Sequence, residues 1–183
     1  YALGHRLFDR TTALLGALFM SLCYLHIRDS HFGTTDVAAA FFTVCAAAFI
    51  VDCYQRGSMR DYVRAGALTG MAIATKYGAL PILLMALLAH LARRWPSPAQ
   101  PKRVLAAMFD RQLILYAACV LATFGALCPY AILDFRTFIA HFSSEMQHVQ
   151  TGHAPYRDLI DLGRGWSYHA FFTPEYAHLL ELW

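Results

Sequence analysis

The sequence contains no asparagine, and therefore no N-glycosylation sequon. Its five cysteines form no CxxC pair and no HExxH occurs, which removes a zinc knuckle, a dithiol redox motif and the helical zinc-protease signature. Residues 1–10 carry two arginines, but no short apolar core and cleavage site follow, so no secretory signal is read there. The chain opens on Tyr1 and turns apolar again toward Trp183, and is expected to be an internal piece of a longer protein. Charge is scarce: 15% of residues are charged, against about a quarter in soluble domains. The net charge of +3 is modest, and no nucleic-acid partner is expected. Arginine far outnumbers lysine and alanine is abundant, as in a GC-rich bacterial genome.

What is present is apolar surface. Hydrophobic residues make up 58% of the chain, and the polar ones cluster between long apolar runs. That pattern predicts an all-α, polytopic transmembrane helical bundle. Cys23, Cys45, Cys53, Cys119 and Cys128 lie in or at the ends of those runs and read as small buried hydrophobes. Runs 11–27, 37–54 and 112–133 have the length of single spans. Run 65–92 has one charge, Lys76, in its middle. A single helix of that length reaches about 42 Å, too long for a core of roughly 30 Å. Two half-spans, 65–75 and 77–92, meeting where Gly78 and Pro81 break the helix fit better. The positive-inside rule agrees: the hairpin puts ten basic residues inside and four outside, whereas one long helix gives eight and six.

The hairpin gathers Arg28–Asp36, Lys76 and everything after Asp134 on the outer side, with Lys76 inside the outer half of the membrane. A lysine at that depth either snorkels to the interface or lines a cavity and binds something. After Pro129, residues 134–170 read as an outer loop. Within it Phe138, Phe142, Met146 and Val149 mark an amphipathic interfacial helix, and a further span is expected to start near 171–183. The stretch RRWPSPAQPK reads as a linker, and Asp52, Arg56, Arg60 and Arg64 as a solvated inner face.

Three chemistries suit such an outer face. A lysine or arginine at membrane depth can hold a lipid-linked phosphate while a carboxylate, here Asp36, takes a proton from an acceptor or steadies an oxocarbenium-like centre. Glu145 and His148, at i and i+3, are candidates for a divalent metal, and seven of the nine histidines fall on this side. A broken helix with an intramembrane lysine also suits a secondary transporter with its site at Lys76. Asp36 precedes an apolar run and also suits a helix N-terminus, a role compatible with catalysis, and Asp29 is placed to pair with Arg28 or to cap a helix.

The runs RLFDRTTALLGALFMSLCYLHIRDSHFGTTDVAAAFF, GALTGMAIATKYGALP and CPYAILDFRTFIAHFSSEMQHVQTGH, taken in order, resemble membrane glycosyltransferases of family 39. That group holds the dolichyl-phosphate-mannose protein mannosyltransferases and the bacterial aminoarabinose transferases. The resemblance implies a GT-C fold with its site on the outer face. It also implies a polyprenyl-phosphate-sugar donor, a protein, lipid or glycan acceptor, inversion at the anomeric carbon and no certain cofactor. It matches Asp36 to a family carboxylate and Lys76 to a ligand of the carrier phosphate, with Arg28 beside it. His31, Tyr77, Glu145, Tyr168 and His169 become substrate-binding candidates. The family's main acidic motif is expected upstream of residue 1, making Asp36 a partner carboxylate. A bacterial inner membrane with the site facing the periplasm is the implied setting.

Overall fold

A computed structural model describes residues 1–94 and 109–151. Every regular element among them is helical. In chain order these are α1 (Ala2–Leu7), α2 (Arg10–Leu22), α3 (Tyr24–Phe32), α4 (Thr35–Gln55), α5 (Met59–Thr75), a 3-10 turn (Tyr77–Ala79), α6 (Ile82–Arg94), α7 (Arg111–Leu127), α8 (Tyr130–Leu133) and α9 (Phe135–Thr151). Residues Tyr1–Ile132 form one compact unit; Leu133–Trp183, which holds α9, is a second.

The first unit is organised around α5. Helix α4 runs antiparallel to it, as the pairings Asp36–Lys76 at one end and Arg56–Asp61 at the other require. Helix α6 returns along α5, so that Tyr62 near the start of α5 meets His90 near the end of α6. Helix α7 runs parallel to α5, with Gly66 against Tyr116 and Gly70 against Val120. The core between them is Ala46, Ile50, Tyr62, Ala65, Ile73, Ile82, Ala86, Tyr116 and Val120. Small residues let these helices approach closely, the usual basis of helix association where lipid removes the hydrophobic drive.

Two apolar runs, and the polar stretch between the first two, are divided differently from the expectation. Run 11–27 is interrupted at Cys23, where α2 and α3 meet at a 55° bend without glycine or proline. Just before it, the Ser21 hydroxyl donates to the Leu18 carbonyl at 2.8 Å, a side-chain bond that competes with the helix ladder and favours a bend. Run 112–133 ends its helix at Leu127, because Pro129 follows. The polar stretch from Arg28 to Asp36 is helical through Phe32; Gly33 (φ +64°) closes α3, Thr34 takes the N-cap position of α4 without a capping side-chain bond, and Asp36 is already in the first turn of α4. Among the described residues one helix, α4, is long and apolar enough to cross a membrane, and α2 with α3 makes a second if the bent pair is one span. The breaks at Cys23 and before Pro129, added to the expected one at Lys76–Pro81, leave fewer helices of that length than there are apolar runs.

Helix α2 begins with a well-made cap. The Asp9 carboxylate accepts from the Thr12 backbone N–H and from the Thr12 hydroxyl, both at 2.9 Å. Those bonds hold the Asp9 carboxyl below its ordinary value of 3.8. The stability it contributes is therefore fully present above that value and is lost as pH falls through the lower folded-state value. Asp9→Asn keeps a capping side chain without the ionisation. It is expected to flatten the acid limb of a plot of Tm against pH while leaving Tm at neutral pH nearly unchanged. An acid limb identical to that of the wild type would exclude this contribution.

Candidate functional site

At one end of the α4–α5 pair the Lys76 ammonium donates to the Asp36 carboxylate. The sequence explains how each arrives there. Asp36 enters in the first turn of α4, where the helix dipole favours a carboxylate. Lys76 is the residue at which α5 stops. Its backbone is extended (φ −156°, ψ 125°), its N–H still closes the last turn on Ala72, and Gly78 and Pro81 keep the next residues from resuming a straight helix. Because α5 starts at Met59, well before the apolar run, its 17 residues carry Lys76 about 26 Å along the axis. Lys76 consequently lies level with the first turn of α4. Both side chains are about half exposed, 46% for Lys76 and 53% for Asp36, so a ligand can reach the pair.

The other candidates are placed as follows. Arg28 is engaged by Asp29, with Nη2 2.8 Å and Nε 2.9 Å from Oδ1; its charge is already matched locally. His31 is exposed and meets Phe32 edge-on, with ring centroids 5.8 Å apart. Tyr77 is half-buried against the core at the start of the 3-10 turn. Glu145 and His148 belong to α9, but their side chains lie outside the described residues, as do Tyr168 and His169 entirely. The metal reading rests on those positions; among the described residues no group of three or more His, Cys, Asp or Glu is placed to hold a metal ion. Of the sequence candidates, the described structure brings Asp36 and Lys76 together.

A second polar centre, at the opposite end of α4, was missed. Asp52, read as part of a solvated face, is 1% exposed. Arg6 Nε reaches its Oδ1 at 3.2 Å, and Arg56 Nη2 lies 2.7 Å from Oδ2 as a close ion pair outside hydrogen-bonding geometry. Asp61, also buried, pairs with Arg56 at 3.3 Å, and that bond holds the Arg56 guanidinium above its ordinary range. Arg93 donates to three carbonyls at the end of α4, those of Tyr54, Gln55 and Arg56, at 2.8–3.0 Å. Nearby, His90 is fully buried and its Nδ1 lies 2.6 Å from the Tyr62 hydroxyl. The cysteines also divide: Cys53 is buried as expected, whereas Cys23, at the bend, is exposed.

Residues 1–110 match the family described as dolichyl-phosphate-mannose-protein mannosyltransferase. The chain belongs to this family. Its members are membrane glycosyltransferases that take a sugar from a polyprenyl-phosphate donor. The match covers well over half of the 183 residues and includes Arg28, His31, Asp36, Lys76 and Tyr77, but not Glu145, His148, Tyr168 or His169. No curated protein and no solved structure matches the chain. For a glycosyltransferase of this kind, an ammonium beside a carboxylate offers two complementary functions: a cation for a phosphate oxygen and a base for a hydroxyl proton.

Proposed function

We propose that this protein transfers a sugar from a polyprenyl-phosphate-linked donor to a hydroxyl of a protein, lipid or glycan acceptor on the outer, periplasmic face of a bacterial inner membrane, with inversion. The observation that carries this reading is the exposed Asp36–Lys76 pair, within a chain of the mannosyltransferase family. In the resting site Asp36 neutralises Lys76. When the donor arrives, its phosphate oxygens take over the ammonium and the Asp36 carboxylate becomes free to accept a proton. The acceptor oxygen then bonds to the anomeric carbon as the bond from that carbon to the phosphate oxygen breaks. The hydroxyl proton passes to Asp36, and the polyprenyl phosphate leaves with its new negative charge against Lys76. Asp36 acts in this scheme as a partner carboxylate within a larger set of acidic groups.

The intact protein in nanodiscs, supplied with polyprenyl-phosphate hexoses and a panel of acceptors, is expected to release polyprenyl phosphate. Lys76→Met preserves the apolar stem and removes the charge. Losing one charge-assisted bond to phosphate is expected to raise KM for the donor about 10- to 100-fold. An unchanged KM removes Lys76 from the donor site. Absence of donor consumption by the wild type across the panel turns the reading toward transport through the broken hairpin at Lys76.

A further inference from the structure

The arginines at the Asp52 end of the helices fall into two kinds. Arg56 and Arg94 face carboxylates, and Arg93 faces carbonyls. Arg60 and Arg64 have neither among the described residues, and both are exposed. They stand four apart on α5, hence on one face of the helix. Gly66 and Gly70, which touch α7, lie on the other side of α5, since two residues on from Arg64 is a rotation of about 200°. The Arg60–Arg64 face is therefore turned away from α7.

Phe49 on α4 gives this face a fixed point. The Arg64 guanidinium carbon is 5.6 Å from the centre of its ring, and that of Arg6 is 5.8 Å from the same ring. Stacking on one aromatic side chain holds two guanidiniums in place without consuming their N–H donors. Arg6 spends Nε on Asp52 and Nη1 on the Ala2 carbonyl, which leaves its Nη2, while Arg64 keeps its whole fork. Two such forks suit a phosphate diester. The apolar neighbours of these arginines in the chain are exposed as well: Leu7 50%, Phe8 64% and Val63 39%. Basic donors bordered by exposed apolar side chains, beside the membrane-length helix α4, match the charged head and oily flank of a lipid.

We propose that Arg6, Arg60 and Arg64 form a binding site for the headgroup of an anionic phospholipid, in the leaflet opposite the Asp36–Lys76 pair. The intact protein, reconstituted in vesicles of equal parts phosphatidylcholine and phosphatidylglycerol and then extracted in mild detergent, is examined by native mass spectrometry. It is expected to retain phosphatidylglycerol adducts in preference to phosphatidylcholine. Each of Arg60→Gln and Arg64→Gln is expected to lower that preference about fivefold, and the double variant about 25-fold. Arg111→Gln, on α7, is the control and is expected to leave it unchanged. A preference that survives the double substitution, or that falls equally with Arg111→Gln, overturns the site. Displacement of the adducts by millimolar inorganic phosphate overturns the lipid as its ligand. Thermal melts of each variant in the same detergent separate a lost site from a lost fold, and Arg64→Lys, which keeps charge without the fork, is expected to retain part of the preference.

Discussion

Asp36→Asn is expected to lower kcat for polyprenyl-phosphate release by about 10²- to 10⁴-fold, the range over which a positioned general base acts. Asparagine has nearly the shape of aspartate. Its side-chain oxygen can still accept from the Lys76 ammonium, and it is well tolerated at a helix start. What it cannot do is receive the acceptor's proton. The loss is therefore expected in kcat, with KM for the donor unchanged or lowered because its phosphate no longer competes with a carboxylate for Lys76, the reverse of the pattern expected for Lys76→Met. Single-turnover kinetics with circular dichroism on the same sample check this. A folded Asp36→Asn protein with wild-type kcat removes Asp36 from the chemistry and leaves its pairing with Lys76 as a structural contact.

The second large effect concerns stability. Gly66→Ala and Gly70→Ala are each expected to destabilise the folded protein by about 2–3 kcal/mol. At Gly66 an added Cβ falls 2.6 Å from the Tyr116 carbonyl oxygen and 2.8 Å from Cys119 Cβ; at Gly70 it falls 2.8 Å from both the Val120 carbonyl oxygen and Thr123 Cβ. Carbonyl oxygens belong to a helix backbone and cannot rotate away, so α7 has to move off α5. Gly16→Ala is the contrast. Nothing lies within 4 Å of the new methyl, and in mid-helix alanine is favoured over glycine by about 1 kcal/mol. Unfolding in detergent, followed for the three variants side by side, is expected to give opposite signs. If all three shift stability alike, the close approach of α5 and α7 is not what these glycines provide.

How far the sequence reveals this architecture depends on where each cause lies along the chain. The interruption after Lys76 is announced locally by Gly78 and Pro81, and the helical state of 135–151 by apolar spacing. The meeting of Asp36 with Lys76, 40 residues apart, follows from counting charges across successive runs, a signal spread over the whole chain. The bend at Cys23 has no such mark, because a serine hydroxyl bonding backward looks like any other serine in sequence. Asp52 misled for a related reason. An aspartate among arginines reads as a wet helix face, and its burial depends on Arg6, 46 residues earlier. The fully buried His90 is likewise legible only once Tyr62 is known to lie across from it. Interval and composition report local causes well; a partner supplied from a distant helix leaves no trace beside the residue it changes.

Helix α4 is held unequally at its two extremities. Its last turn is gripped by Arg93 on three carbonyls, by Asp52 with two arginines, and by Gln55 reaching the Arg6 carbonyl at 3.2 Å. At its first turn the polar contact with α5 among the described residues is the half-exposed Asp36–Lys76 pair. Mechanically that is a lever with its fulcrum at the buried end. In the proposed scheme, a phosphate that draws Lys76 away from Asp36 removes the ion pair at the first turn and leaves the contacts at the last turn in place. Over 21 residues, about 32 Å, a tilt of only about 5° carries the Asp36 end through about 3 Å. The ion pair that marks the site is thus also the contact whose loss would leave the Asp36 end of α4 less firmly held than the Asp52 end.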